Sequence, residues 1–188
     1  MTSVIESKKF PLSYFGSYKN SISVHRDNRF NRIALIQPEI PDGNYLPSLG
    51  LLYIAAVLER DGFYVKVFDQ GQKAEVLNEI LAFNAGLVGI TSVTASINRA
   101  FRLAEGIKAV YPETQVVIGG SHATGSPYET IEKPFVDFVV KGEGEYPMLH
   151  LSRIFRQGRK TKDISQVGSL FYKVDGTVKK NKEDEDLN

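Results

Sequence analysis

The chain has 188 residues, a formal net charge of +1, 42% apolar residues and no cysteine. That length suffices for one well-buried domain with appendages, and the near-neutral balance gives no general attraction to nucleic acid or to anionic membranes. Disulfides, thiolate metal sites and iron–sulfur ligation by this chain are excluded. No apolar run reaches membrane-spanning length and the first residues lack a signal peptide's apolar core, so a cytoplasmic protein is expected.

Residues 1–31 carry Phe10, Tyr14, Phe15 and Tyr18 without a clear period and read as an N-terminal arm. From Arg32 the pattern alternates between strand and helix. Ile33–Ile36 predicts a first strand, ended by Gln37-Pro38. After a Pro- and Gly-containing loop, Ser48 is placed to cap a helix through Leu58, closed by Gly62. That helix is apolar nearly all round, which predicts that it is largely buried. Tyr64–Phe68 follows as a strand, then a helix with Val76, Leu77, Ile80 and Leu81 on one face.

Leu87–Thr91 is the third predicted strand, and Ser96 is placed to cap a helix carrying Ile97, Phe101, Ala104 and Ile107. Gln115–Ile118 is the fourth, with a short helix near Tyr128–Glu132. Phe138–Val140 is the fifth, and Pro147 suits the start of a last helix bearing Met148, Leu151, Ile154 and Phe155. Leu170–Val174 and Thr177–Lys179, joined by Asp175-Gly176, read as a β-hairpin before a charged tail. The expected organisation is therefore an arm (1–31), an α/β domain (32–160) and a hairpin with a charged linker (161–188).

Strand–helix alternation repeated five times argues for a Rossmann-like, flavodoxin-like five-stranded parallel sheet of order 2-1-3-4-5. Ligands of such sheets bind outside the carboxyl ends of the strands, at the switch point between strands 1 and 3. The loops to inspect are then 37–48, 91–96, 119–126 and 141–146. The third is the most informative, because a buried strand runs into Gly119-Gly120 and then Ser121-His122-Ala123-Thr124. Adjacent glycines free the backbone and let a bulky ligand approach.

The usual tenants of this fold are missing their signatures. No G-x-G-x-x-G follows the first strand, no P-loop is present, and Thr91 stands where a receiver domain has its phospho-acceptor Asp. The first loop is rich in Pro and large residues, unlike a flavin-phosphate cradle. Ser121 and His122 are sequence neighbours, which rarely face each other as a hydrolase pair requires. Simple capping and tight turns remain the plain alternative for Thr91–Ser96, Gly119-Gly120 and Gly142–Glu145.

Four segments occur in a recognisable order: Pro47-Ser48-Leu49-Gly50-Leu51 with Ala55-Ala56-Val57-Leu58, then Val88-Gly89-Ile90-Thr91, then Gly119–Thr124, then Gly142-Glu143-Gly144-Glu145. Together they resemble the N-terminal cobalamin-binding domain of B12-dependent radical SAM enzymes over roughly residues 32–157, and the hairpin resembles the connector that follows in that family. The resemblance implies a corrin lying across the strand ends with its nucleotide tail tucked into the sheet. It implies that Thr91, Ser92 and Thr94 line the tail and corrin amides, and that Gly119 and Gly120 leave room for the tail. Ser121, His122, Ala123 and Thr124 would surround its phosphate, ribose or corrin edge. The loop around Leu46–Leu51, with Leu46, Pro47, Leu49 and Gly50, would lie near the lower corrin face, and Gly142–Glu145, with Gly142, Glu143 and Gly144, would close the far side. Small polar groups suit the many amide arms of a corrin.

Two departures sharpen this expectation. The first loop, Asp42-Gly43-Asn44-Tyr45-Leu46, lacks the D-x-H-x-x-G histidine that ligates cobalt in methionine-synthase-like domains. Base-off cobalamin without histidine ligation is expected, and His122 is read as a pocket residue, His150 as a helix-surface residue. The absence of a C-x-x-x-C-x-x-C run means the chain does not cleave S-adenosylmethionine alone. S-adenosylmethionine and a 4Fe-4S cluster enter only with a radical SAM domain, supplied in cis or in trans. The expected function is the cobalamin-binding domain of a radical SAM methyltransferase. The alternatives are a free-standing corrinoid carrier or sensor, and an α/β protein-interaction domain without cofactor. Replacing Gly120 with Val is expected to block corrinoid uptake and leave the fold largely intact, provided the φ angle there tolerates a side chain.

Overall fold

In chain order the elements are β1 (Arg32–Gln37), α1 (Leu49–Arg60), β2 (Tyr64–Asp69), α2 (Ala74–Phe83), β3 (Leu87–Thr91), α3 (Ile97–Val110) and β4 (Gln115–Gly119). They continue with α4 (Ser121–Gly125), α5 (Pro127–Ile131), β5 (Phe138–Val140), α6 (Glu145–Arg156), α7 (Thr161–Ile164), β6 (Leu170–Val174) and β7 (Thr177–Lys180). Short 3-10 turns at Arg29–Asn31 and Thr94–Ser96 precede β1 and α3. This computed structural model describes residues 28–40, 48–69, 74–158 and 161–183.

The strands form one sheet of order β2-β1-β3-β4-β5-β6-β7. The first five are parallel, with the expected order and the expected switch point between β1 and β3. The hairpin does more than follow the domain. β6 pairs antiparallel with β5, Val139 opposite Phe171, and β7 closes the edge. β1, β3 and β4 read as continuous apolar runs because both faces of a central parallel strand are covered. The edge strands are mixed, and Lys66 on β2 and Lys179 and Lys180 on β7 discourage further strand pairing.

Side chains alternate between two cores. Ala34, Ile36, Val88, Ile90, Val116, Ile118 and Val139 face α2, α3, α4 and α5. Ile33, Leu35, Leu87, Val117, Phe138 and Val140 face α1 and α6. The helices on that second face are tied at their C-terminal ends. Arg153 donates to Asp61 through Nε at 3.1 Å, and Arg156 donates to the same carboxylate at 3.1 Å while lying over the Phe63 ring. Hydrogen bonds from Arg153, with the charges of both arginines, hold the Asp61 carboxyl below its ordinary pKa.

α1 departs from its expected burial. Leu51, Ala55 and Leu58 are buried, but Leu49 is 67% exposed, Leu52 47% and Tyr53 64%. One helix on one sheet face buries a single stripe, and among the described residues nothing covers the other. The Ser48 cap forms as expected, its hydroxyl accepting from the Leu51 N–H, and the Ser48 N–H donates to the Gln37 side chain at 2.7 Å. Ser96 does precede α3, yet its hydroxyl makes no cap. It turns back to the N–H and carbonyl of Val93.

Candidate functional site

A cleft of about 190 Å³ opens at the carboxyl ends of β1, β3, β4 and β5, between the N-terminal turns of α1 and α6. Its origin is a gap in one side-chain row. Leu35, Gly89 and Val117 are register partners on the α1/α6 face, and Thr91 and Gly119 are partners one step nearer the strand ends. On the opposite face the neighbouring row is Ile36, Ile90, Ile118 and Val139, all 0–1% exposed. Glycine at 89 and 119 removes the side chains that would fill the α1/α6 side. A Cβ at Gly89 would sit 3.0 Å from Leu35 Cδ2 and 3.1 Å from Met148 Cε, so these two side chains close the floor.

The walls are apolar. Leu51 and Ile54 come from α1, Val117 and Val140 from the sheet, and Met148 from α6. The charged residues lining it are Glu143 and Glu145, with no Lys, Arg or His among the lining residues. With carboxylates as its charged groups, such a lining suits an uncharged group better than an anion.

The expected site residues fall into distinct sets. Gly50, Thr91, Gly119, Gly120, Gly142, Glu143 and Gly144 line the cleft. Ser92 is buried and acts as a tether: its N–H and hydroxyl both donate to the Gly119 carbonyl at 2.9 Å, and its own carbonyl accepts from the His122 N–H. Thr124 accepts from the Gly142 N–H at 3.0 Å, joining the loops after β4 and β5. Ser121 is exposed and Ala123 is buried in the opposite core. Leu49 points to solvent beside the mouth. Leu46 and Pro47 lie outside the described residues, as does the N-terminal arm through residue 27.

His122 Nδ1 lies 3.3 Å from the Thr94 hydroxyl, while Nε2 is buried with no hydrogen-bond partner among protein atoms. His122 does not line the cleft, and His150 is exposed on α6. Among the described residues no three His, Asp or Glu side chains gather as a metal site, and no helix is long and apolar enough to cross a membrane.

Gly120 does not meet the condition set for its replacement by Val. Its φ is +93°, and a Cβ there would meet the Ser92 carbonyl oxygen at 2.5 Å and the Ser92 nitrogen at 2.7 Å. The loop itself demands glycine at this position, so a Val substitution would disrupt the protein before it tested the cleft. The residues that sequence reasoning missed are most of the floor and walls: Leu35, Ile54, Val117, Val140 and Met148, with Gly89 at the centre. Gly89 did carry a signal, since a glycine inside an apolar strand marks close approach of another group.

A parallel α/β sheet with an apolar cleft at its switch point, bounded by tethered small-residue loops, defines a Rossmann-like ligand-binding module. A family model described as the B12 binding domain matches residues 41–152, and the chain belongs to that family. An uncharacterized methyltransferase of Pyrococcus horikoshii is 34% identical over 71% of this chain and 29% of its own length. The anaerobic magnesium-protoporphyrin IX monomethyl ester cyclase of Rubrivivax gelatinosus is 32% identical over 72% of this chain and 26% of its own. This chain thus spans less than a third of the curated relatives it matches. The fold also matches the radical S-adenosylmethionine methyltransferase TsrM of Kitasatospora setae, with cobalamin and a 4Fe-4S cluster bound. There the TM-score is 0.71 at 21% identity, over 82% of this chain and 29% of that one.

Proposed function

We propose that this chain holds cobalamin base-off, without histidine ligation, for a radical SAM enzyme of methyl-transfer type. The observation that carries the reading is the cleft beneath Gly89 and Gly119, at the strand ends where this family's fold presents its ligand. The residue types fit the group. The apolar cleft takes the base of the nucleotide tail, and the loops at 91–94, 119–124 and 142–144 offer hydroxyl and backbone groups to the phosphate, ribose and corrin amides. The buried, unpartnered Nε2 of His122 supplies one further polar atom at the same loops. When bound, the cobalt centre supplies the methyl-transfer chemistry. The protein positions the corrin, keeps water from its lower side and offers no histidine in the cleft to ligate the metal.

The exposed stripe Leu49, Leu52 and Tyr53 lies on the first turns of α1, beside the cleft mouth. Contiguous exposed apolar residues of this kind support a neighbouring radical SAM domain, in cis or in trans, over a solitary carrier.

Titrating the purified chain with hydroxocobalamin and passing it through gel filtration tests the proposal. Retention with a base-off absorption spectrum is expected, and His122→Ala is expected to weaken retention without moving the cobalt bands. Loss of the corrinoid on the column sinks the reading. A spectrum shifted by His122→Ala makes that histidine an axial ligand and removes the histidine-off assignment.

A further inference from the structure

We infer that the segment after β5 is a movable rim of the cleft, and that residues 181–183, beyond β7, set its position through Ser169 and Glu183. Ligand seating and the hold on that segment are then linked. The inference rests on the corrinoid reading for its ligand and goes beyond it, because it names a control on the same site.

Topology brings the two together. β5 rises to the strand ends, β6 returns antiparallel beside it and β7 rises again, so residues 181–183 lie on the side where the cleft opens. They are tied there although they follow the last strand. The Asn181 side chain donates to the Ile164 and Val167 carbonyls at 2.7 Å, and the Asn181 N–H donates to the Leu170 carbonyl at 2.9 Å. Ser169, in the left-handed region at φ +55°, reverses the chain and faces both ways. Its N–H donates to the Lys182 carbonyl at 2.8 Å, and its carbonyl accepts from the Lys141 N–H at 3.0 Å. Lys141 Nζ then meets the Glu183 carboxylate at 2.6 Å.

Lys141 is the residue before the rim. Gly142 and Gly144 line the cleft, and two glycines in three residues leave that backbone with little stiffness of its own. Its position therefore falls to its neighbours. The Gly142 N–H donates to the Thr124 hydroxyl at 3.0 Å, and Gly144 packs so closely on α1 that a Cβ would lie 2.8 Å from Ile54 Cδ1. Lys141 supplies the third hold, the one that reaches away from the cleft. Lys141, Ser169, Lys182 and Glu183 all lie outside the cleft lining. An effect of ligand at Ser169, or of Glu183 at Gly142, thus travels through the rim, and the coupling is reciprocal.

Amide hydrogen exchange read by NMR on the full chain, with and without hydroxocobalamin, tests this. In the ligand-free chain Glu183→Gln and Lys141→Met are each expected to speed exchange at Gly142 by about two- to fivefold, the range of an exposed ion pair, and the double variant no further than either alone. Lys180→Met removes the other cation beside Glu183, at 3.3 Å, without touching the rim, and is expected to leave Gly142 unchanged. Hydroxocobalamin is expected to slow exchange at Ser169 in the parent, and to do so less in Glu183→Gln. Unchanged exchange at Gly142 in Glu183→Gln overturns the inference whether or not the corrinoid binds, and so does an equal effect of Lys180→Met. Corrinoid binding with no change at Ser169 overturns the linkage and leaves the corrinoid reading standing. Absence of corrinoid binding, with the Glu183→Gln effect present, removes the corrinoid reading and leaves the hold on the rim in place.

Discussion

The two faces of the sheet are built from the same strands and do opposite things. On the α2/α3 face, Ile36, Ile90, Ile118 and Val139 stand side by side and fill the space to the strand ends. On the α1/α6 face the corresponding row is interrupted by Gly89, and the step above it by Gly119. The first face is filled to the strand ends; the second gives up part of its core and leaves a cleft open there. In a parallel strand, where neighbours point to opposite faces, a single glycine opens one side and leaves the other packed.

The largest way to break this comparison lies in the loop that both faces share. Gly120→Val places a branched side chain at positive φ against the Ser92 backbone. It is expected to cost about 3 kcal/mol or more, with loss of the urea-unfolding transition at its native midpoint. A variant with native stability would mean that the loop relaxes freely and that Gly120 serves only the ligand.

Adjacent residues of β4 sharpen the contrast. Ile118→Ala, on the filled face, is expected to lower stability by about 3 kcal/mol and to leave corrinoid retention in proportion to folded protein. Gly119→Leu points into the cleft, where the nearest atom to a new Cβ is the Val140 carbonyl at 3.9 Å. Its stability should stay within about 1 kcal/mol of the parent while hydroxocobalamin uptake is lost. Equal effects of both variants on uptake would erase the difference between the faces.

The smallest effect concerns the clamp that spaces α1 and α6. Because the Asp61 carboxyl is held below its ordinary pKa, its contribution is complete above the unfolded value and is lost as the pH falls through the folded one. Asp61→Asn should therefore cost up to about 1 kcal/mol at neutral pH in chemical denaturation, and flatten the acid side of the stability curve. An unchanged acid limb would show that the clamp is not what spaces the helices.

Much of this was legible before any coordinates. The order of strands, the switch point and the hairpin follow from runs of apolar residues and from Gly, Pro and Asp punctuation, all of which are local in sequence. So do the Ser48 cap and the loops that line the cleft mouth. Local pattern failed where the answer depended on a distant partner. An all-apolar α1 cannot announce which stripe meets the sheet, and nothing local in sequence shows that the Ser92 hydroxyl donates to the Gly119 carbonyl.

The sequence by itself thus determined a parallel α/β scaffold of the B12-binding kind and the loops at its carboxyl end. Tertiary structure alone decided that a cleft opens on the α1/α6 face, floored by Leu35 and Met148 beneath Gly89. It decided equally that the loop's own backbone requires glycine at position 120, at the edge of the cleft. The physical reason is register. A missing side chain becomes a cavity only when strands from distant parts of the chain align to surround it and the covering helices leave it open.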